Sequence, residues 1–210
     1  HITVDLGYGD SGKGTIVDWL VRQHKSKFVV RYNGGAQAFH TVYTKGATKH
    51  IFRQFGAGTF AGASTIIGPH VVVNPLTMIR EANELRNHGF IDPLGLVYVD
   101  GRALVVTPFH RALNCIRETL RTSRHGSTGM GIGETRRISL GINSNLAVRV
   151  QDLHPHNRTL LEEKLEHLRS HVRHDAAQLL IQHSASPDVI ALLQPELDIF
   201  EGREIGRAHV

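Results

Sequence analysis

The first apolar run, Ile2-Thr3-Val4-Asp5-Leu6, predicts a buried strand that feeds directly into the glycine-rich stretch GYGDSGKGT. Ile16-Val17-Asp18-Trp19-Leu20-Val21 then has helical spacing, so the chain opens as strand, loop, helix. A second strand is predicted at Phe28-Val29-Val30-Arg31. The turn Asn33-Gly34-Gly35 and a stretch ending in His40-Thr41-Val42 follow, with Lys45-Gly46 as a hairpin tip. Thr65-Ile66-Ile67 and Val71-Val72-Val73 read as two short strands. Asn74 and Pro75 supply an N-cap and first-turn proline for an amphipathic helix to about Asn87. Further strands are expected at Leu96 to Val99 and Ala103 to Val106, a helix from Thr107-Pro108 to roughly Thr122, and a glycine-rich loop over HGSTGMGIGET. Thr159 to His183 reads as one long helix with Leu161, Leu165, Leu168, Val172 and Leu179 on or near one face.

Strands alternating with helices define an α/β fold with a central, largely parallel sheet and flanking helices, in the manner of a phosphate-loop NTPase. No internal repeat, low-complexity tract or linker divides the chain, so residues 1–203 are expected to belong to a single domain, incomplete on its C-terminal side. The segment Glu204 to Val210, EIGRAHV, matches the translation of a common sequencing-adapter oligonucleotide and is expected to be a non-biological tail, the alternative being a natural basic tail. The first residue is His1, so a few leading residues are expected to be missing.

Composition narrows the function classes. With 210 residues and 40% hydrophobic content the chain can bury a sizeable core. The net charge of +5 suits an anionic ligand such as a nucleotide. The basic residues are scattered and aromatics make up only 6%, which argues against a nucleic-acid stacking platform. Cys115 is the sole cysteine, so neither an intrachain disulfide nor a cysteine-rich zinc site can form, and a reducing cytoplasm is the natural compartment. No apolar run reaches membrane-spanning length, so no membrane association is expected.

The candidate chemistry begins at Gly7-Tyr8-Gly9-Asp10-Ser11-Gly12-Lys13-Gly14-Thr15. This is a phosphate-loop core in which the expected Ser or Thr is displaced by one residue, Gly14 intervening. Glycines let successive N–H groups curl around phosphate oxygens, the helix start adds positive potential, and Lys13 offsets charge on the terminal phosphates. A plain strand-to-helix turn is the competing reading. Asp10 among phosphate-binding amides would repel the ligand unless it binds Mg²⁺ or exchanges a proton with the substrate; capping the following helix is its other reading.

The second motif, Val29-Val30-Arg31-Tyr32-Asn33-Gly34-Gly35-Ala36-Gln37-Ala38-Phe39-His40-Thr41, together with GDSGKG, resembles the adenylosuccinate synthetases, whose signatures are typically GDEGKGK and VVRYxGGxNAGHT. The resemblance continues through Ile66-Ile67-Gly68, Asn74-Pro75-Leu76, His110 to Leu113, Gly126 to Gly133 and Val148 to Leu153, covering nearly all of residues 2–153.

It implies a homodimeric, cytoplasmic ligase of purine biosynthesis in which GTP phosphorylates the 6-oxygen of IMP and the amino group of L-aspartate displaces phosphate, giving adenylosuccinate. By the resemblance Asp10 is the base that removes the N1 proton, and His40 the acid that hydrogen-bonds the transferring phosphate. GTP would be bound by Gly9, Asp10, Ser11, Gly12, Lys13, Gly14, Thr15, Phe39, His40 and Thr41. IMP would be bound by Asp10, Ser11, Gly12, Lys13, Gln37, Ala38, Phe39, His40 and Thr128, and Mg²⁺ by Asp10 and the Phe39 backbone carbonyl.

The departures are Ser11 for the usual glutamate, Gln37 for asparagine and Phe39 for glycine; the arginine that reaches the partner subunit's IMP is not assigned, because residues 134 to 148 contain an apparent insertion and Asn145 falls nearest. The family's aspartate and guanine sites lie downstream of Arg203, so the 210-residue chain alone is expected to be inactive. The alternatives are a paralogue acting on another 6-oxopurine nucleotide and a non-catalytic purine nucleotide-binding protein. An ordinary phosphate-loop kinase or GTPase is disfavoured by the displaced Ser/Thr. His167, His171 and His174 have spacing that permits zinc, but their charged neighbours read as a solvated helix face.

Overall fold

Asn74 and Pro75 set a helix as the sequence requires. The Asn74 side-chain oxygen accepts from Thr77 N at 3.0 Å and Pro75 occupies the first turn, so the helix α2 begins there. The computed structural model describes residues 1–7, 9, 11–43, 49–122 and 127–201, and the chain divides into two compact units, 1–103 and 104–210.

In the first unit the order is α1 (Lys13–His24), β1 (Phe28–Gly35), β2 (His40–Tyr43), β3 (Lys49–Phe52), β4 (Ser64–Val73), α2 (Pro75–Asn87) and β5 (Val97–Val99). β1, β4 and β5 form a parallel sheet in that order, with Val30 opposite Ile66 and Ile66 opposite Tyr98. β2 and β3 pair antiparallel, His40 opposite Phe52; the expected hairpin tip at Lys45-Gly46 lies outside the described residues. Val42, Phe52, Phe55, Ala82 and Leu85 form the core, with Val17 of α1 and Val97 of β5 packed against it. The mixed α/β architecture with a mostly parallel sheet is thus as the sequence reads.

Two local expectations are corrected. Thr65–Ile67 and Val71–Val73 are one strand, β4, because Gly68-Pro69 is absorbed by a register shift between Arg31 and Asn33 on its neighbour. Residues 2–6 form no strand: Ile2, Val4 and Leu6 are 91%, 67% and 97% exposed, and Asp5 is held by side-chain and backbone donors of the glycine loop.

The second unit holds β6 (Leu104–Val105), α3 (Pro108–Leu120), α4 (Ile132–Leu140), α5 (Arg158–Gln182), α6 (Pro187–Leu192) and α7 (Gln194–Phe200). Thr107 caps α3 through a reciprocal box with His110, whose Nδ1 accepts from Thr107 N at 3.0 Å. Burial, then the nearby Arg137, pushes the His110 imidazole down to about 3. Leu113, Ile116, Leu168, Val172, Leu193 and Phe200 close the core between α3, α5 and the C-terminal helices. The glycine loop after α3 is shorter than its sequence suggests, because Gly131, at φ 73°, starts α4 and lies against the backbone of His110 and Arg111. Cys115 Sγ donates to Glu196 Oε1 at 3.2 Å; burial, then this carboxylate, pushes the thiol up to about 11, so it stays protonated. Among the described residues no helix is long and apolar enough to cross a membrane.

Candidate functional site

Gly12 stands at φ 72° and ψ 20° as the N-cap of α1, and among the described residues no side chain caps the first N–H groups of the helix, which can serve an outside acceptor. Lys13 begins the helix. One residue on, Gly14 is buried, and a Cβ there would meet the Thr41 carbonyl oxygen at 2.8 Å and the His40 backbone and Cβ at 3.1 Å. This close approach explains the displaced Ser/Thr: only a residue without a side chain lets the start of α1 sit against β2. It brings the loop residues Gly12, Lys13, Gly14 and Thr15 to the segment carrying His40 and Thr41.

Gly14→Ala is therefore expected to cost about 1–3 kcal/mol through overpacking against a carbonyl that cannot swing aside. The better helix propensity of Ala, about 1 kcal/mol, offsets only part of that. A denaturant melt showing unchanged stability would contradict the contact.

Arg31 lies inside β1 at 6% exposure and holds the approach to His40. Its Nη1 donates to the Phe55 carbonyl at 3.1 Å and its Nη2 to the Ala38 carbonyl at 3.2 Å, so the Gly34–Phe39 turn is tied to the sheet. Burial lowers the Arg31 pKa, with the Glu81 charge acting in the opposite direction. The Glu81 carboxylate, 1% exposed, accepts from the backbone of Arg53, Gln54 and Phe55 at 3.0, 2.7 and 3.3 Å and so fixes the loop that Arg31 grips.

Burial, then Arg31, then Lys13 push the His40 imidazole down to about 4. It is neutral around pH 7, with one ring N–H to donate. Its cationic neighbours make this a place that attracts anions. A cavity of about 970 Å³ opens here, lined by Asp5, Lys13, Arg31, Asn33, Ala38 and His40 at its polar part and by Val17, Leu20, Phe28, Val29 and Val30 elsewhere.

The remaining candidates fall as follows. Among the described residues, Gln37 Oε1 is buried with no hydrogen-bond partner, an acceptor lacking a donor. Phe39 finds room by pointing outward at 53% exposure, with the Arg53 guanidinium 5.3 Å from its ring centroid. Gly9 adopts φ 109°, and Ser11 Oγ lies 2.9 Å from Asp5 Oδ1. Asp10 lies outside the described residues, as do Gly126 and 202–210. Thr128 belongs to the second unit, exposed in a loop where Asn114 Oδ1 accepts from Ser127 Oγ and Gly131 N at 3.1 and 3.2 Å.

On the helix face considered for zinc, His167 and His174 are exposed and His171 Nε2 lies 3.9 Å from an Asp175 oxygen. Among the described residues no group of three or more His, Cys, Asp or Glu could hold a metal ion.

Sequence reasoning missed Asp5 and Arg31. The signal was present in both cases as one charged residue inside an otherwise apolar strand-like run.

Parallel sheet, glycine loop at a helix start, and the cations Lys13 and Arg31 near His40 define a mixed α/β protein with a candidate anion site at that loop. The adenylosuccinate synthetase family model matches residues 2–196, and the chain belongs to that family. It is 36% identical over 166 residues to the adenylosuccinate synthetase of Syntrophus aciditrophicus, covering 78% of this chain and 37% of that one. It is 33% identical over 200 residues to that of Neisseria gonorrhoeae, covering 92% and 44%. The chain thus spans less than half the length of these curated relatives. Its fold matches a fully ligated adenylosuccinate synthetase from Plasmodium falciparum with a TM-score of 0.62 at 22% identity, over 93% of this chain and 42% of that one.

Proposed function

We propose that the protein is a GTP-dependent ligase that joins IMP and L-aspartate into adenylosuccinate, with residues 1–203 contributing the phosphoryl-transfer part of one catalytic domain. The observation that carries this reading is the contact of Gly14 with His40 and Thr41, which joins the two family signatures at one site. GTP is taken by Gly9, Asp10, Ser11, Gly12, Lys13, Gly14, Thr15, Phe39, His40 and Thr41. IMP is taken by Asp10, Ser11, Gly12, Lys13, Gln37, Ala38, Phe39 and His40. The Gln37 oxygen, unpartnered among the described residues, supports this assignment, because it needs an N–H donor and a purine nucleotide can bring one.

In the reaction Asp10 takes the N1 proton of IMP, so electron density moves to the 6-oxygen as it attacks the γ-phosphorus of GTP and GDP leaves. The aspartate amine then displaces phosphate from C6. His40, neutral and half-buried beside Lys13 and Arg31, donates a hydrogen bond to the transferring phosphoryl oxygens, and Lys13 offsets their charge. Magnesium fits this donor set of carboxylate, carbonyl and phosphate oxygens; it would be held by Asp10 and the Phe39 carbonyl and would neutralise phosphate charge. The protein acts in the cytoplasm as a homodimer.

The test is Asp10→Ala in a protein of the relatives' full length. Adenylosuccinate formation is expected to fall by about 10²–10⁴ while GTP affinity changes little. Unchanged turnover would remove Asp10 from the chemistry.

A further inference from the structure

Among the described residues, an acid of the chain itself occupies donors of the phosphate loop. Asp5 Oδ2 is paired with Lys13 Nζ, and Asp5 Oδ1 accepts from Gly7 N at 2.8 Å and from Ser11 Oγ at 2.9 Å. One ammonium, one loop N–H and one hydroxyl are the donors that such a loop would direct at a phosphate. Asp5 reaches them from the segment expected to be a strand.

We propose that Asp5 is an internal anion that plugs the phosphate loop, so that the phosphates of GTP bind by displacing its carboxylate from Lys13 and Ser11. The proposal rests on the reading of this loop as the GTP site and adds its regulation.

Two further observations support it. The three donors keep the Asp5 carboxyl down at about 2, so the plug stays ionised throughout the physiological range and competes as an anion. Holding Asp5 also strands its flanks in water: Ile2 and Leu6 are more than nine-tenths exposed and Val4 two-thirds. Meanwhile Phe28, Val29 and Val30 of β1 line the open cavity that residues 1–5 border. The segment therefore has an apolar surface to move onto once nucleotide takes its place on Lys13. The plugged state is held by charge at the expense of burial, which makes it displaceable by a more highly charged ligand.

Calorimetric titration of Mg–GTP into a protein of the relatives' full length tests the plug. Asp5→Asn keeps size and an oxygen for Gly7 but removes the charge. If the plug occupies the loop about nine-tenths of the time, this variant binds about tenfold more tightly than wild type. Glu84→Gln, the same loss of charge on α2, is expected to leave affinity unchanged. Equal or weaker binding by Asp5→Asn, or equal tightening by Glu84→Gln, would overturn the plug. Lys13→Ala separates the two claims. Wild-type binding that Lys13→Ala abolishes, without tightening in Asp5→Asn, removes the plug and leaves the GTP site standing. Absence of GTP binding in both wild type and Asp5→Asn overturns the site reading and the plug with it.

Discussion

Alanine in place of His40 is expected to lower kcat by about 10²–10⁴, with KM for GTP and IMP changed far less. In the proposed reaction the imidazole serves charge that spreads over the phosphoryl group as it transfers, whereas ground-state binding is shared with Lys13, the glycine loop and Gln37. Because burial, Arg31 and Lys13 keep the imidazole neutral down to about 4, kcat/KM should show no His40 ionisation near its ordinary value of 6.5. The same shift affects stability. Between 6.5 and about 4 the unfolded chain binds a proton at this position more readily than the folded chain. The stabilising effect of the neutral state is therefore complete above that window and lost as pH falls through it. His40→Gln should reduce the acid sensitivity of an unfolding curve recorded over this range. A kcat within a few-fold of wild type for the alanine variant would exclude His40 from the transfer step.

The largest expected effect on stability lies at Glu81. Replacing it with alanine removes the acceptor of three backbone N–H groups at a position 1% exposed and withdraws the negative charge that favours ionised Arg31. Leaving buried donors unpaired costs about 1–3 kcal/mol each, and relaxation of the 53–55 loop recovers part of it. A net loss of about 3–5 kcal/mol is expected, comparable to breaking a buried ion pair. Since the Phe55 carbonyl is one of the two that Arg31 grips, the damage extends along Arg31 to Ala38 and His40. Urea unfolding checks the stability, and GTP titration under folding conditions checks the site. A loss below about 1 kcal/mol would mean that water replaces the carboxylate and that the loop is not anchored through it.

Elements with a local signal were legible in the sequence. Asn74-Pro75 and Thr107-Pro108 place helix starts because the cap and the proline act within three residues. The long α5 follows from its apolar spacing. What the sequence did not show depended on interactions beyond the local pattern. Residues 2–6 have a strand's composition, yet one ion pair to Lys13 and two further hydrogen bonds hold Asp5 to the glycine loop instead. The short helices α6 and α7 carry proline in their first turn and Leu193 and Phe200 in the core, but six- and seven-residue elements have too little periodicity to be read. At the site, the two motifs give His40, Lys13 and the loop. Their being adjacent rests on a missing side chain at Gly14, which becomes meaningful only when β2 lies against it. Arg31 was in plain view within Val-Val-Arg-Tyr, and its work on the Ala38 carbonyl follows only from the turn it faces.

The central claim is that this loop and His40 direct phosphoryl transfer onto the 6-oxygen of IMP. In a protein of the relatives' full length, supplied with GTP, magnesium, L-aspartate and IMP carrying ¹⁸O at C6, the label should appear in the released inorganic phosphate. In the proposed reaction that oxygen attacks the γ-phosphorus and leaves with it when the amine displaces phosphate. Adenylosuccinate formed with unlabelled phosphate, or phosphate release that does not depend on IMP, would contradict the account.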